Sequence, residues 1–264
     1  AHARLAETGE AQMATKHVRA DELNLRSKAE LGNNILGTLR KGQSVTTGGN
    51  TDANGWIRVT TEDGVQGCVK ASLLRDPVSI AREALMDAAV TEWFRFNRGR
   101  GDEHKSPYYR YVGEMWQAIG MGLDGRDRDV PWSAAFISWA VRKGGPAYTG
   151  FHFAAAHARY VNQAIRARLD GAMAPFWGYR LNEHPVQLGD LVCQWRVNPV
   201  NYDFARRHDA FFSHCDIVVE IDGAGVRALG GNNGQTVGFK SYARNPAGFL
   251  KAENNVFAVL KNNT

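Results

Sequence analysis

The spacing of apolar residues changes once along this chain of 264 residues, and that change constrains the fold more than any other feature. Up to Asp76-Pro77, apolar and polar residues alternate in short runs, which are separated by turn pairs such as Lys41-Gly42 and Asn54-Gly55. From Ser79 onward, apolar residues recur every three or four positions, which is the period of an amphipathic helix. The pattern therefore predicts two domains with different secondary structure.

The first domain is predicted to be a small β-barrel over residues 17–76, because short strands in close succession can close on themselves. The strands are expected at residues 23–27, 35–39, 44–46, 56–60 and 67–69. Residues 1–16 are polar and rich in alanine, and we predict a linker remnant or a short helix there.

The second domain, residues 77–264, is predicted to be α+β, with helices first and an antiparallel sheet after them. Helical spacing begins at Ile80, Tyr108, Pro131 and Phe151. Strand-like runs follow at residues 189–195, 214–221, 225–229, 236–240 and 256–260. We expect these strands to form an antiparallel meander.

One predicted helix carries a single hydroxyl at the head of its apolar stripe. Pro131 suits the first helical position, and Phe136, Ile137 and Ala140 lie three, four and seven residues after Ser133. Ser133 is therefore expected to face inward, beside the free N–H groups and the positive dipole end of the helix. Nucleophiles are often placed in this position, and the alternative is a serine that only caps or packs.

A histidine and a carboxylate share one face of a later strand. Period-two alternation places His214 and Asp216 on one side and Cys215 on the other. If the helix of Ser133 packs on the His214 side, a nucleophile, a base and an orienting group meet, as covalent acyl transfer requires. Asn232 is a second candidate for the orienting group. The structural alternatives are an edge histidine, an ion-paired aspartate and a turn asparagine.

The composition narrows the expected partners. A formal net charge of +5 favours anionic surroundings such as wall polymers. No basic block carries interleaved aromatics, so nucleic acid is not expected, and no apolar run approaches the roughly 20 residues that span a bilayer. The first residues lack the order of a signal peptide, so we expect either a trimmed chain or another export route.

The first domain has four motifs in an order found in one kind of small barrel. They are Leu23-Asn24-Leu25-Arg26, Gly37–Gly42, Gly55–Val59 and Gly67–Leu74. In this order they resemble a bacterial SH3-type domain. Such domains accompany wall hydrolases and bind peptidoglycan, so the resemblance implies a wall-binding module, with a mere spacer as the alternative. Cys68 stands where the family usually has Trp or Tyr, which removes one aromatic from a peptide-binding face.

The second domain also has four motifs in a recognisable order. They are Pro131–Phe136, Gly189–Val192, His214–Val219 and Gly230–Asn232. Together they resemble the papain-like wall amidase and peptidase superfamily of the NlpC and CHAP types. A still closer resemblance is to an uncharacterised bacterial family whose signatures are matched by residues 132–136, 157–160 and 214–218.

The superfamily resemblance implies a papain-like fold and a site in which Ser133 attacks, His214 moves the proton, and Asp216 or Asn232 orients the imidazole. We expect Trp132, His157 and Trp195 to contact the substrate, although a lone histidine beside a helix core, such as His157, is more often structural.

Ser133 replaces the superfamily's cysteine. A serine hydroxyl stays protonated near neutral pH, so it needs a true general base where a thiol would ionise readily. A natural serine enzyme, an inactivating substitution and a site that only binds are the three explanations left open.

The expected function is a peptidoglycan hydrolase that acts on stem-peptide amide bonds, secreted or periplasmic and associated with the cell wall. A variant of this expectation is an antibacterial toxin with an immunity or delivery protein as partner. The alternatives are a non-catalytic peptidoglycan-binding protein and a serine esterase or acyltransferase. No cofactor and no metal are expected.

The three cysteines are Cys68, Cys193 and Cys215, and none forms a Cys-x-x-Cys pair, so no zinc site is indicated. Cys193 and Cys215 lie on consecutive predicted strands, but whether their side chains meet depends on the register, which the sequence leaves open. A disulfide between them would leave Cys68 as a free thiol, and the alternative is that all three pack as small apolar residues.

Overall fold

The computed structural model describes residues 13–223, 225–253 and 255–264, and the chain divides into two compact units. One unit ends at Pro77 and the other runs from Val78 to Thr264. Within the described ranges, no helix is long and apolar enough to cross a membrane.

The first unit is built on a single antiparallel sheet with the strand order β3-β2-β6-β5-β4-β1-β7. Its strands are β1 (Ala14–Val18), β2 (Glu22–Arg26), β3 (Ile35–Arg40), β4 (Ser44–Gly48), β5 (Trp56–Thr61), β6 (Gln66–Lys70) and β7 (Leu74–Arg75). Alternation brings one side chain in two to the interior, where Leu23, Leu25, Val45, Val59 and Val69 form a small apolar core. Strands occur at all five positions that the sequence predicts.

The segment before the barrel requires a correction. Residues 1–16 are predicted as a linker remnant or a short helix, but β1 begins at Ala14 and pairs with both β4 and β7. Only Val18 of this strand is buried, so the apolar alternation that reveals a strand is absent, and its pairing comes from distant residues. The rest of the predicted segment, residues 1–12, lies outside the described residues.

The second unit packs helices against an antiparallel sheet with the strand order β12-β11-β10-β9-β13-β8. The helices are α1 (Ile80–Arg95), α2 (Tyr108–Gln117), α3 (Ser133–Lys143), α4 (His157–Leu169) and α5 (Tyr202–Arg207). The strands are β8 (Phe176–Tyr179), β9 (Leu191–Trp195), β10 (Ser213–Asp222), β11 (Gly225–Gly230), β12 (Gly238–Ala243) and β13 (Val256–Asn262). The prediction of an α+β unit with an antiparallel sheet is confirmed, and β8 and α5 are additions to it. The predicted meander is wrong at its last strand, because β13 pairs with β9 and β8 instead of β12.

Two helices begin later than the sequence predicts. α3 begins at Ser133 instead of Pro131, because Trp132 has the non-helical angles of a cap residue. α4 begins at His157 instead of Phe151, because Ala156 is extended, with φ −132° and ψ 126°. Ser133 and His157 are therefore each the first residue of a helix, and both side chains lie at a helix N-terminus.

Candidate functional site

Ser133 lies at a buried helix N-terminus whose backbone N–H groups are available. Its side chain is only 7% exposed, and no side chain caps this end of α3. The N–H groups of a first helical turn have no intrahelical partners, so those of Ser133 and Ala134 can donate to a bound group. The Ser133 hydroxyl oxygen is 2.7 Å from Nε2 of His157, the first residue of α4. A hydroxyl and an imidazole at this distance can exchange a proton.

The other nitrogen of this imidazole has a hydroxyl partner as well. Nδ1 of His157 is hydrogen-bonded to the phenol of Tyr160, one turn further along α4, and both side chains are buried. If Nδ1 donates its proton to the phenol oxygen, Nε2 carries the lone pair and can accept the proton of Ser133. If the phenol donates instead, Nε2 carries the hydrogen and cannot act as a base. Tyr160 therefore governs which tautomer of His157 faces the serine.

A second histidine is held by a carboxylate in the same region. Nε2 of His214 is 2.7 Å from Oδ1 of Asp216, as their shared strand face predicts. The carboxylate also accepts hydrogen bonds from the Tyr242 hydroxyl and, at 3.1 Å, from Nδ2 of Asn233. Nζ of Lys240 lies 3.6 Å from its Oδ2. His214 therefore donates from Nε2 and keeps Nδ1 as its basic nitrogen.

The structure corrects the expected contact between the serine and His214. Ser133 is hydrogen-bonded to the histidine of α4, and the two imidazole rings lie 5.2 Å apart between centroids. α3 packs on the sheet face opposite to the predicted one, since Phe136 shares an apolar cluster with Ile217. Val218, on the face of His214, belongs to a separate cluster. Strand alternation reveals faces but not which face a helix covers.

The Gly230-Gly231 pair allows the end of β11 to lie close to both the His214–Asp216 pair and helix α3. A Cβ atom on Gly230 would lie 1.8 Å from Oδ1 of Asp216 and 2.9 Å from Nε2 of His214. A Cβ atom on Gly231 would lie 2.5 Å from the side chain of Phe136 in α3. Both positions therefore require glycine for steric reasons.

Burial and charge determine the protonation of these groups. Burial lowers the pKa of His157 well below its usual 6.5, and the nearby His214 lowers it further. Burial also lowers the pKa of His214. Burial acts to raise the pKa of Asp216, but His214, Lys240 and Tyr242 outweigh it and hold that pKa well below its ordinary value. Both imidazoles are therefore neutral near pH 7, and Asp216 carries a negative charge.

A cavity of about 840 Å³ opens onto both histidines. Its polar lining includes Ser133, His157, His214, Asn232, Arg196 and Lys240. Its apolar lining includes Phe211, Phe212, Phe239 and Val197. A space of this size can hold several residues of a peptide.

The remaining predicted site residues differ in their placement. Asn232 lines the cavity, but the asparagine that bonds to Asp216 is its neighbour Asn233. Trp132 is 1% exposed and donates from Nε1 to the Glu103 carboxylate, so it lies in the core, which corrects its expected substrate contact. Trp195 is half-buried at the edge of the same core and is not among the residues that line the cavity.

Sequence reasoning missed Tyr160, Tyr242, Asn233, Arg196 and Lys240 as parts of this site. A tyrosine one helical turn after a histidine was the only available signal, because Lys240 and Tyr242 come from β12 and Asn233 and Arg196 from loops, all far along the chain from Ser133.

The two sheet cysteines meet. Cys193 and Cys215 are directly paired residues of β9 and β10, their sulfur atoms are 2.9 Å apart, and both thiols are free and buried. Cys215 and the apolar residues of the helix side share a cluster, so it faces away from His214, as alternation predicts. Whether the pair oxidises stays a prediction.

Comparisons with known proteins match both units. Residues 21–75 match the bacterial SH3 domain family, which confirms the SH3-type prediction for the first unit. A probable endopeptidase p60 of Listeria monocytogenes is 37% identical over 70 residues, which are 26% of this chain and 14% of that protein. The chain thus spans about a seventh of that relative's length. The solved structure of NlpC2 from Trichomonas vaginalis matches with a TM-score of 0.33 and 11% identity, covering 94% of this chain and 72% of that one. Residues 100–261 match a family described as an uncharacterized protein conserved in bacteria, DUF2272, and because this match covers more than half of the chain, the protein belongs to that family.

Proposed function

We propose that this protein is a peptidoglycan hydrolase that cleaves an amide bond of a stem peptide through a Ser133 acyl-enzyme, with His157 as the general base. The observation that carries the proposal is the distance of 2.7 Å between the Ser133 hydroxyl and Nε2 of His157 at an uncapped helix N-terminus. The bacterial SH3 domain and the similarity to a probable endopeptidase support a wall polymer as the substrate class. This substrate would place the protein in the periplasm or at the cell wall.

The first half-reaction uses the groups in the order in which they lie. Ser133 Oγ attacks the amide carbonyl carbon while its proton passes to Nε2 of His157. The oxyanion that forms accepts hydrogen bonds from the free N–H groups at the start of α3, where the helix dipole favours negative charge. His157 then donates the proton to the leaving amine, and the acyl group stays on Ser133 as an ester.

The second half-reaction returns the enzyme to its starting state. His157 accepts a proton from water, the resulting hydroxide attacks the ester carbonyl, and the proton goes back to Ser133 Oγ as the acid product leaves. The negative charge of Asp216 favours the imidazolium form of His157 in both halves, since it acts to raise the pKa of that ring. His214 and Asp216 thus assist the transition state through charge and do not remove the serine proton.

A papain-like arrangement is part of this proposal. It is supported by the order of the motifs, in which the helix of Ser133 precedes the strand that carries His214. In such an arrangement His214 would be the base. The hydrogen bonds favour His157 instead, because Nε2 of His214 donates to Asp216 and the serine hydroxyl contacts the other ring. Variants of the two histidines therefore separate the two assignments.

A digest of purified sacculi tests the proposed function. The full chain should release new amine termini or shortened peptides, detected by mass spectrometry, and Ser133→Ala should release none. Ser241→Ala is the matched control, since Ser241 is an exposed serine of the same unit. His152→Gln serves the same purpose for the histidines, because His152 is exposed.

Two results would contradict the proposal. If neither the native chain nor Ser133→Cys produced new termini, the site would not hydrolyse wall amides, and retained wall binding would identify a non-catalytic binder. Hydrolysis of small activated esters with no action on sacculi would identify an esterase or acyltransferase instead.

A further inference from the structure

The cavity has an unbalanced charge at its mouth. Its lining includes two cations, Arg196 and Lys240, and no Asp or Glu. Asp216, the carboxylate that is hydrogen-bonded to His214, is fully buried and is not among the lining residues. A substrate in the cavity therefore meets positive charge that the lining does not neutralise.

The two cations differ in whether other groups of the protein bind them. Nζ of Lys240 donates to Oε1 of Gln194 at 3.1 Å and lies 3.6 Å from Asp216 Oδ2, so its charge has partners within the protein. Arg196 is exposed, and within the described parts of the chain no ion pair or hydrogen bond involves its guanidinium group. Arg196 therefore has five N–H donors available at the cavity mouth.

The backbone around Arg196 is held in place despite local strain. Its N–H donates to the Phe212 carbonyl at 2.8 Å, and its own carbonyl accepts from Asn198 at 2.6 Å. Between these bonds, Val197 has a φ of 62°, a conformation that is unfavourable for a β-branched residue and persists only where its surroundings impose it. The loop thus fixes the backbone from which the Arg196 side chain extends into the lining of the cavity.

We propose that Arg196 is the centre of a carboxylate subsite, so that the substrate is a peptide with a free carboxylate next to the bond that Ser133 attacks. A guanidinium group matches a carboxylate with two parallel hydrogen bonds. The exposed Val197 and Phe212, with 75% and 70% of their surfaces accessible, lie beside it and suit an aliphatic stem next to the carboxylate. This inference rests on the proposed function, because it names part of the substrate.

Occupation of the subsite would also affect catalysis. The positive charge of Arg196 acts on both imidazoles, and it disfavours the protonated form of each. A bound carboxylate would neutralise that charge and so would ease proton transfer from Ser133 to His157. Peptides without the carboxylate should therefore be poorer substrates as well as weaker ligands.

Calorimetric titration of full-length Ser133→Ala with four acetylated tripeptides tests the subsite without turnover. The probes are Ala-Ala-Ala with a free C-terminus, the same peptide as its amide, and the amides of Ala-Glu-Ala and Ala-Gln-Ala. At least one carboxylate peptide should bind about tenfold more tightly than its neutral counterpart at low salt, and less so at high salt. A preference within the first pair identifies a terminal carboxylate, and one within the second pair a side-chain carboxylate.

Variants assign the preference to the arginine. Arg196→Gln in the Ser133→Ala background should bring each pair within twofold, whereas Arg196→Lys should keep part of the difference because it keeps the charge. Arg206→Gln is the control, since Arg206 is an exposed arginine of α5 that does not line the cavity. Circular dichroism should show the same fold for every variant.

Three results would overturn the subsite: no binding of either carboxylate peptide at millimolar concentration, equal binding within both pairs, or a preference that survives Arg196→Gln. The sacculus digest distinguishes this failure from that of the proposed function. Carboxylate preference without wall cleavage would keep the subsite and reject the hydrolase, and cleavage without preference would do the reverse.

Discussion

The two histidines of the cavity have opposite surroundings, although their rings are only 5.2 Å apart. His157 lies between two hydroxyl groups, those of Ser133 and Tyr160, and no carboxylate bonds to it among the described residues. His214 is hydrogen-bonded to Asp216, in a region where Tyr242 and Lys240 also approach the carboxylate. The ring of His157 therefore contacts the Ser133 hydroxyl, whereas the ring of His214 contacts a carboxylate.

Under the proposed function, this difference explains how a serine can act as the nucleophile at a position where the resemblance to the papain-like superfamily implies a cysteine. A hydroxyl needs a neutral base in contact with it, and a ring bonded only to hydroxyl groups in a buried site stays neutral. The imidazolium that forms later needs a nearby negative charge, which Asp216 supplies from behind the second ring. The following predictions test these separate roles, in which His157 is the general base and the His214–Asp216 pair provides electrostatic support.

The largest expected effect is the difference in kcat between the variants that replace His157 and His214. We expect His157→Gln to lower kcat for wall peptides by about 10²- to 10⁴-fold, because the proton of Ser133 then has no acceptor. His214→Gln should cost only about tenfold, as it removes an electrostatic contribution and leaves the base in place. Single-turnover rates on soluble wall fragments measure both, and a larger loss for His214→Gln would reverse the assignment.

Neutralisation of the buried Asp216 carboxylate should affect the stability of the fold more than it affects proton transfer from Ser133 to His157. Asp216→Asn should lower the free energy of unfolding by about 3 kcal/mol, because Lys240 loses its buried partner and the Tyr242 and His214 donors lose a charged acceptor. Urea denaturation of the full chain measures this change. The matched control is Asp209→Asn, whose carboxylate pairs with Arg159 at the surface and should cost less than about 1 kcal/mol.

Removal of the phenol tests the tautomer of His157. Tyr160→Phe should lower kcat by about tenfold with little change in KM, because Nδ1 no longer has the acceptor that keeps its hydrogen in place. Tyr202→Phe is the control, since that hydroxyl bonds to the Gly178 carbonyl on β8. An unchanged kcat in Tyr160→Phe, or an equal drop in Tyr202→Phe, would show that the phenol of Tyr160 has no specific role in orientation.

The smallest expected effect is the pH dependence of stability, to which both histidines contribute. Their lowered pKa values mean that the unfolded chain binds protons more readily than the folded protein below about pH 6.5. Stability is then fully present above that pH and falls as the pH drops towards the folded-state pKa values. Urea midpoints between pH 7 and pH 5 should show this loss, and His157→Gln should flatten the curve more than His152→Gln.

The sequence predicts those parts of the site that depend on local periodicity. The bond between His214 and Asp216 requires only that residues two apart on a strand share a face, and that period also places Cys215 on the opposite face. The strands β9 to β12 lie side by side in chain order, as the predicted meander requires, but β13 leaves that order and pairs with β9.

The parts that the sequence could not predict depend on contacts between distant elements. The partner of Ser133 depends on where α4 begins, and the extended angles of Ala156 that place His157 at its first position have no local signal. The meeting of Cys193 with Cys215 depends on the register between two strands, which a shift of one residue would change. Arg196 depends on a loop conformation that includes a strained valine.

Covalent labelling with a fluorophosphonate, followed by peptide mass spectrometry, tests the central claim most directly. An activated serine attacks the phosphorus and expels fluoride, and the mass of the adduct identifies the modified residue. We predict an adduct on Ser133 in the native chain and in His214→Gln, and a loss of labelling in His157→Gln. Absence of an adduct in the native chain, or labelling that needs His214 but not His157, would contradict the assignment of Ser133 and His157 as nucleophile and base.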